Sequence, residues 1–288
     1  MHKQDKKHVT KSGARILVEE LEKHGVEYIF GYPGGTVLSI YDELTRSKIN
    51  VVLSGDERCA GHAAQGYARS TGKVGVCLVT SGPGSTNLVT PLADAKMDST
   101  PIIGISGQVT SNMIGKDAFQ ETPFLNITMQ VTKHNYLVTK AEDIARTVAE
   151  AFYIASTVRP GPVLIDIAKD AQVNQVPVEL IDDTVNLKGY KPERKLHLEQ
   201  LNKAMEEIKN AKKPLIYAGQ GIVLGNAVKE LREFVDKSGI PIAVTILGRG
   251  VYPETKPLFT GMLGMHGAAY ANFAMDECDL IIALGTRF

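Results

Sequence analysis

Between Val74 and Thr80 the chain reads VGVCLVT, apolar at nearly every position and free of charge. Such a run reads as a strand buried on both faces, which a parallel sheet covered by helices supplies. The same pattern recurs in VEYIF (26–30), VVLS (51–54), PIIGIS (101–106) and PVLIDI (162–167). Helical patterns separate these strands, at 14–24, up to Leu44, from Asp56, up to about Met97, and over 141–157. Repeated βα units imply an α/β fold with a parallel sheet. From Lys169 to His197 the pattern dissolves into a polar stretch with two prolines. A second βα series then runs through a helix at 198–211, PLIYAGQG, a helix at 226–238, PIAVTILG and DLIIALGTRF. The expected organisation is an α/β domain over 10–170, a linker over 171–196 and a second α/β domain over 197–288. DLIIALG reads as a buried strand with no covering helix after it: either the second domain is small or, the favoured expectation, the chain is a fragment whose second domain is incomplete.

The bulk properties exclude several classes. A length of 288 residues suits two domains. Lys+Arg and Asp+Glu are equal at 32 each, so neither nucleic acid nor an anionic membrane is an expected partner. Apolar runs such as PIIGI are too short to span a bilayer, and the basic opening MHKQDKKHVTKSG lacks the apolar core of a secretory signal. The three cysteines, Cys59, Cys77 and Cys278, are widely spaced and form no CxxC pair. That usage points to reduced thiols in the cytoplasm rather than to a disulfide framework or a zinc site. Cys77 reads as a buried small apolar residue.

Ligands of open α/β sheets gather at the carboxyl ends of the strands. Four loops there are rich in special residues: GYPGG (31–35), SGDE (54–57), SGPGSTN (81–87) and SGQV (106–109). SGPGST lacks the Lys-Ser/Thr ending of a Walker loop. AGQGIVLG (218–225) imitates a dinucleotide fingerprint but has Leu224 in the third glycine position. Taken alone, Glu57 is an ordinary first-turn carboxylate compensating a helix dipole, worth about 0.3–1 kcal/mol.

Longer blocks carry a resemblance. GYPGGTVLSIYDEL, HAAQGYARSTGKVGVCLVTSGPGSTNLVT, IGKDAFQETP, KHNYLV and RPGPVLIDIAKD resemble the first domain of the acetolactate (acetohydroxyacid) synthase catalytic subunits, a thiamine-diphosphate enzyme family. GMLGMHGAAYANFAMDECDLIIALGTRF is similar to that family's FAD-binding middle domain, and its GMLGMHG segment favours the FAD-containing biosynthetic branch. The resemblance spans Gly13 to Phe288. It implies decarboxylation of pyruvate and condensation with a second pyruvate or with 2-oxobutyrate, the first common step of valine, leucine and isoleucine synthesis. Homo-oligomers, dimeric or tetrameric, and a small regulatory subunit are the partners it implies.

The resemblance also assigns residues. Glu57 stands where the family's glutamate hydrogen-bonds the aminopyrimidine ring of thiamine diphosphate and favours its imino tautomer. Gly34, Gly35 and Thr36 match a loop beside that cofactor, and Gln120 matches a glutamine near the reacting centre. For FAD, structural in role, the matching positions are Arg159, Gly219, Gln220, Gly221, Thr245, Ile246, Leu247 and Gly248. Leu263, Gly264, Met265, His266, Gly285, Thr286, Arg287 and Phe288 complete that set. Magnesium ligands fall in a third domain, outside these residues. Around Glu57 the chain reads Gly55-Asp56-Glu57-Arg58-Cys59 where the family usually has Arg-His-Glu-Gln-Gly, and Thr110 stands where proline is common. Asp56 sets a like charge beside Glu57 that Arg58 can offset. The expectation is that this chain by itself is inactive. The alternatives are another thiamine-diphosphate carboligase or decarboxylase, and a non-catalytic remnant acting as a binding or interaction module.

Overall fold

The computed structural model describes residues 9–193 and 195–288, so residues 1–8 of the basic opening run lie outside the described residues. The chain divides into two compact units, the first reaching Glu193 and the second following it. In the first, β1 (Thr10–Ser12), α1 (Gly13–Lys23), β2 (Tyr28–Tyr32), α2 (Leu38–Leu44), β3 (Asn50–Leu53) and α3 (Glu57–Thr71) lead to β4 (Gly75–Val79). Then come α4 (Pro83–Thr86), α5 (Val89–Met97), β5 (Ile102–Gln108), α6 (Phe124–Thr128), β6 (His134–Val138), α7 (Ile144–Ser156), β7 (Val163–Ala168), α8 (Lys169–Val173) and β8 (Gln175–Pro177). Six strands form one parallel sheet in the order β3-β2-β4-β5-β7-β6.

Alternation along the central strands explains the layering. Val76 and Leu78 of β4 face α1, α2 and α7, where Leu17, Leu21, Ile40 and Val148 are buried. Cys77 and Val79 point the other way, against Ala60, Ala64 and Ala68 of α3 and Leu92 of α5. Successive strand residues face opposite sides, so a run with both faces covered must be apolar throughout. The alanines of α3 recur every fourth position, giving a smooth face that packs close to the sheet. Burial pushes the Cys77 thiol up to about 12, as for an inert core residue.

Several boundaries differ from the sequence-based expectation. Gly31 and Tyr32 finish β2, and Ser106–Gln108 finish β5, because each strand continues its ladder with its neighbours (Tyr32 lies opposite Val79 and Gln108 opposite Ala168). SGPGSTN is not simply a loop, since Pro83–Thr86 is helical. The expected linker over 171–196 begins inside the first unit: β8 pairs antiparallel with β1, and Ala171, Gln172 and Val176 are buried there. Ile181, Leu187 and Tyr190 then pack on the same core.

The second unit comprises α9 (Leu198–Asn210), β9 (Pro214–Ala218), α10 (Gly221–Leu224), α11 (Val228–Ser238), β10 (Ile242–Val244), β11 (Phe259–Met262), α12 (Ala269–Glu277) and β12 (Leu280–Leu284). Its parallel sheet has the order β11-β10-β9-β12. Ile216, Leu231, Val235, Ile242, Val244 and Tyr252 form its core. DLIIALG, expected to be buried, is an edge strand in which exposed and half-buried residues alternate, with Ile281 41% exposed. No helix is long and apolar enough to cross a membrane among the described residues.

Candidate functional site

The carboxyl ends of β2, β3, β4 and β5 share one rim of the first sheet, because the strands are parallel. Glu57 enters this rim at the first turn of α3. Asp56 caps that helix, its Oδ1 accepting from the Arg58 amide at 2.8 Å. The Arg58 guanidinium returns to the same carboxylate through Nε and Nη2, both at 2.9 Å. The Arg58 side chain, and then its amide, hold the Asp56 carboxyl down at about 2. The unusual neighbours therefore neutralise each other and leave Glu57 to other partners. Glu57 is half-buried, and its Oε2 accepts from Asn87 Nδ2 at 2.8 Å. A Cβ added at Gly84 would lie 3.2 Å from Glu57 Oε1 and 2.7 Å from the Thr80 methyl, so only bare backbone fits there.

The neighbouring turns are tied together. The Thr36 and Thr80 hydroxyls lie 3.0 Å apart, and Thr36 Oγ1 also accepts from the Ser81 amide at 3.0 Å. Gln172 Nε2 donates to Thr36 O at 2.9 Å, so the expected linker contributes to the rim. Thr36 is thus engaged inside the protein, Gly34 packs on Thr80, and Gly35 opens onto free space. The Ser81 hydroxyl is buried without a hydrogen-bond partner. Gly82 has φ +60, and a side chain there would meet Gln120 O at 2.7 Å. Gln120 is itself left-handed, with φ +58, and exposed. The next residue, Glu121, accepts from the amides of Gly115, Ala118 and Lys116, which hold its carboxyl below the usual range.

Glu57, Gly34, Gly35, Thr36 and Gln120 therefore occupy one rim. Asn87 and Ser81 join them; their signal was their place in SGPGSTN, whose helical turn aims Asn87 at α3. Arg159 belongs to the first unit and donates to Ser99 Oγ at 2.7 Å and to Lys96 O at 2.8 Å, closing the end of α5. The remaining residues matched to FAD gather at the carboxyl rim of the second sheet. There Gly221 N donates to Gly285 O at 2.9 Å, and a Cβ at Gly248 would lie 2.6 Å from Ala218 O. Thr245 Oγ1 accepts from Gly248 N at 3.0 Å, while Leu263 N donates to Val244 O at 3.1 Å. Gln220, Ile246 and Leu247 lie within these turns, as do Gly264, Met265 and His266 after β11 and Arg287 and Phe288 after β12. The Thr286 hydroxyl is buried with no partner. No group of three His, Cys, Asp or Glu side chains suited to a metal ion occurs among the described residues.

Residues 11–129 match the thiamine pyrophosphate enzyme N-terminal TPP binding domain, and residues 201–288 match the thiamine pyrophosphate enzyme central domain. The chain belongs to the thiamine pyrophosphate enzymes, of which it carries these two domains. Within that family it is 49% identical to an acetolactate synthase of Arthrospira platensis over 99% of the chain and 51% of the relative. It is 48% identical to the acetolactate synthase large subunit of Corynebacterium glutamicum, over 96% of the chain and 44% of the relative. It is also 49% identical to the chloroplastic acetolactate synthase of Arabidopsis thaliana, over 96% of the chain and 42% of the relative. The chain thus spans about half the length of these curated relatives.

Proposed function

We propose that these two units serve an acetolactate synthase, which decarboxylates pyruvate and joins the remaining carbons to a second pyruvate or to 2-oxobutyrate. The observation that carries the proposal is Glu57, a half-buried carboxylate at the strand rim with one oxygen held by Asn87 and the other beside bare Gly84 backbone. Thiamine diphosphate fits this rim: Gly35 opens onto free space, the bare backbone of Gly84 leaves Glu57 Oε1 uncrowded, and the Ser81 hydroxyl has unused hydrogen-bonding capacity. Thiamine diphosphate, when bound, supplies the stabilisation of a carbanion that the protein's own side chains lack. Asn87 orients Glu57, so that the free oxygen can hold a proton at a ring nitrogen of that cofactor. Asp56 and Arg58, satisfied by one another, keep the entrance of α3 rigid. Thr36, Thr80 and Gln172 fix the turn that bears Gly35, and Gln120 stands on the exposed side toward the substrate.

The second rim fits FAD by the same criteria, through close-packed Gly219, Gly221 and Gly285 and the unpartnered Thr286 hydroxyl. Its role there is structural, because the net reaction transfers no electrons. Magnesium belongs to the same proposal, with ligands beyond the residues described. A homodimeric or larger assembly, a regulatory subunit and a cytoplasmic location suited to three unpaired thiols complete the reading.

Glu57→Gln in the complete enzyme is the direct test. Loss of the proton-holding oxygen should lower acetolactate formation from pyruvate by about 100-fold or more, while calorimetry still detects thiamine diphosphate binding. A variant that turns over at the parental rate removes Glu57 from the chemistry.

A further inference from the structure

Asp166 lies on β7 under the rim and is 1% exposed. Its Oδ1 accepts from Ser106 Oγ at 2.6 Å and its Oδ2 from Gln108 Nε2 at 3.0 Å. Ser106 and Gln108 are two residues apart on β5 and so face the same side, with Ser106 directly opposite Asp166 in the ladder. Gln108 does more than join two strands. Its Nε2 also donates to Thr122 O at 2.9 Å, and its Oε1 accepts from the Val109 amide at 2.8 Å. Both amide hydrogens are therefore used on two acceptors. A flipped amide would set its oxygen against the Asp166 carboxylate and the Thr122 carbonyl, so the network fixes a single orientation.

Thr122 follows Gln120 by two residues, and its carbonyl also accepts from the Phe124 amide at 2.7 Å. The other end of the same loop is held by Asp170, which accepts from the Ser111 amide at 2.9 Å and from the Ser111 hydroxyl. Glu121 closes the loop from within by accepting three of its amides. Gln108, braced by Asp166 of β7, and Asp170 just after β7 thus hold the two ends of the segment 109–123, and Gly82 receives its far side. An enclosed carboxylate is costly unless its oxygens are fully hydrogen-bonded. An apolar residue would serve the β5–β7 contact at lower cost, as Leu164 and Ile165 do on the same strand.

We propose that Asp166 and Gln108 form a buried clamp that positions Gln120 at the rim, acting on the reaction through the loop rather than by touching cofactor or substrate. The proposal rests on the reading of Gln120 as a residue beside the reacting centre. Without the clamp, Thr122 loses its tether to the sheet, and the left-handed backbone of Gln120 loses the support that holds it against Gly82.

The test uses these two units within the complete enzyme that the proposed function implies, with thiamine diphosphate, magnesium and pyruvate as probes, in the variants Gln108→Ala, Gln120→Ala, their double variant and Asp166→Asn. Hydrogen exchange of the amides over 115–121 should quicken about tenfold in Gln108→Ala while the exchange of β4 and α7 stays unchanged. Pyruvate turnover should fall in Gln108→Ala and in Gln120→Ala, and the double variant should stay within about twofold of Gln120→Ala, since both act through one group. Asp166→Asn can still accept from Gln108 and donate to Ser106 Oγ, so its loop should exchange at the parental rate. Unchanged exchange in Gln108→Ala overturns the clamp, as do single-variant losses that multiply in the double variant. If Gln120→Ala turns over normally, the reading of Gln120 fails, and the exchange data still decide whether the clamp holds the loop.

Discussion

A carboxyl group enclosed like Asp166 gains a proton more easily than one in water, because burial disfavours its charge. Burial raises Asp166 to about 7, against the opposing pull of Ser106 and Gln108. Leu137 of β6 lies opposite it on the other side, so no charged side chain meets it from either neighbouring strand. Below about pH 4 folded and unfolded chains both hold this proton; from about pH 4 to 7 only the folded chain does. The unfolded state therefore binds fewer protons in that window, and the contribution of Asp166 to stability falls as pH rises through it. Asp166→Asn removes the titration. Urea unfolding of both proteins near pH 5 and near pH 8 should show the parent losing ground to the variant at the higher pH. An unchanged difference would mean that Asp166 ionises in its ordinary range. The same scale shows what spacing could reveal: Glu57 at a strand end was legible, but Asn87 as its partner was not. Thirty residues separate Asn87 from Glu57 in the chain, and only the helical turn of α4 brings its amide to the carboxylate.

Elements reveal themselves when their pattern is long enough to carry a period. The apolar runs of β4 and β7 and the small-residue face of α3 do so. The three-residue strands β1 and β8 do not, because a single alternation in TKS or QVP resembles any polar loop. Yet their pairing sets the start of α1. Ser12 ends β1 and caps α1, its hydroxyl accepting from the Arg15 amide at 3.2 Å. Ser12→Ala should lower stability by about 1 kcal/mol, read by chemical denaturation, because one helix N–H loses its acceptor. An unchanged midpoint would show that water replaces the hydroxyl in full. Helix α4 escaped notice for a related reason: Gly and Pro mark turns in sequence, and here they open one turn of helix.

At the scale of the molecule, the two units have separate hydrophobic cores, so they should respond separately to core damage. Leu17 is fully buried in the first. Leu17→Ala should destabilise that unit by about 2–5 kcal/mol through lost burial and a residual cavity. In a two-phase melt only one transition should move; a common shift of both would show that the units unfold together. The sequence by itself determined the layered α/β character of both units, the strands that could be central, and the rim on which Glu57 would stand. Those properties follow from local periodicity and from the direction of parallel strands. Only the tertiary structure decided that the expected linker reaches back to Thr36, that Asp56 and Arg58 satisfy each other, and that Asp166 and Gln108 hold the loop of Gln120. Each depends on side chains meeting across strands distant in sequence, where hydrogen-bond direction and backbone approach, rather than composition, set the outcome.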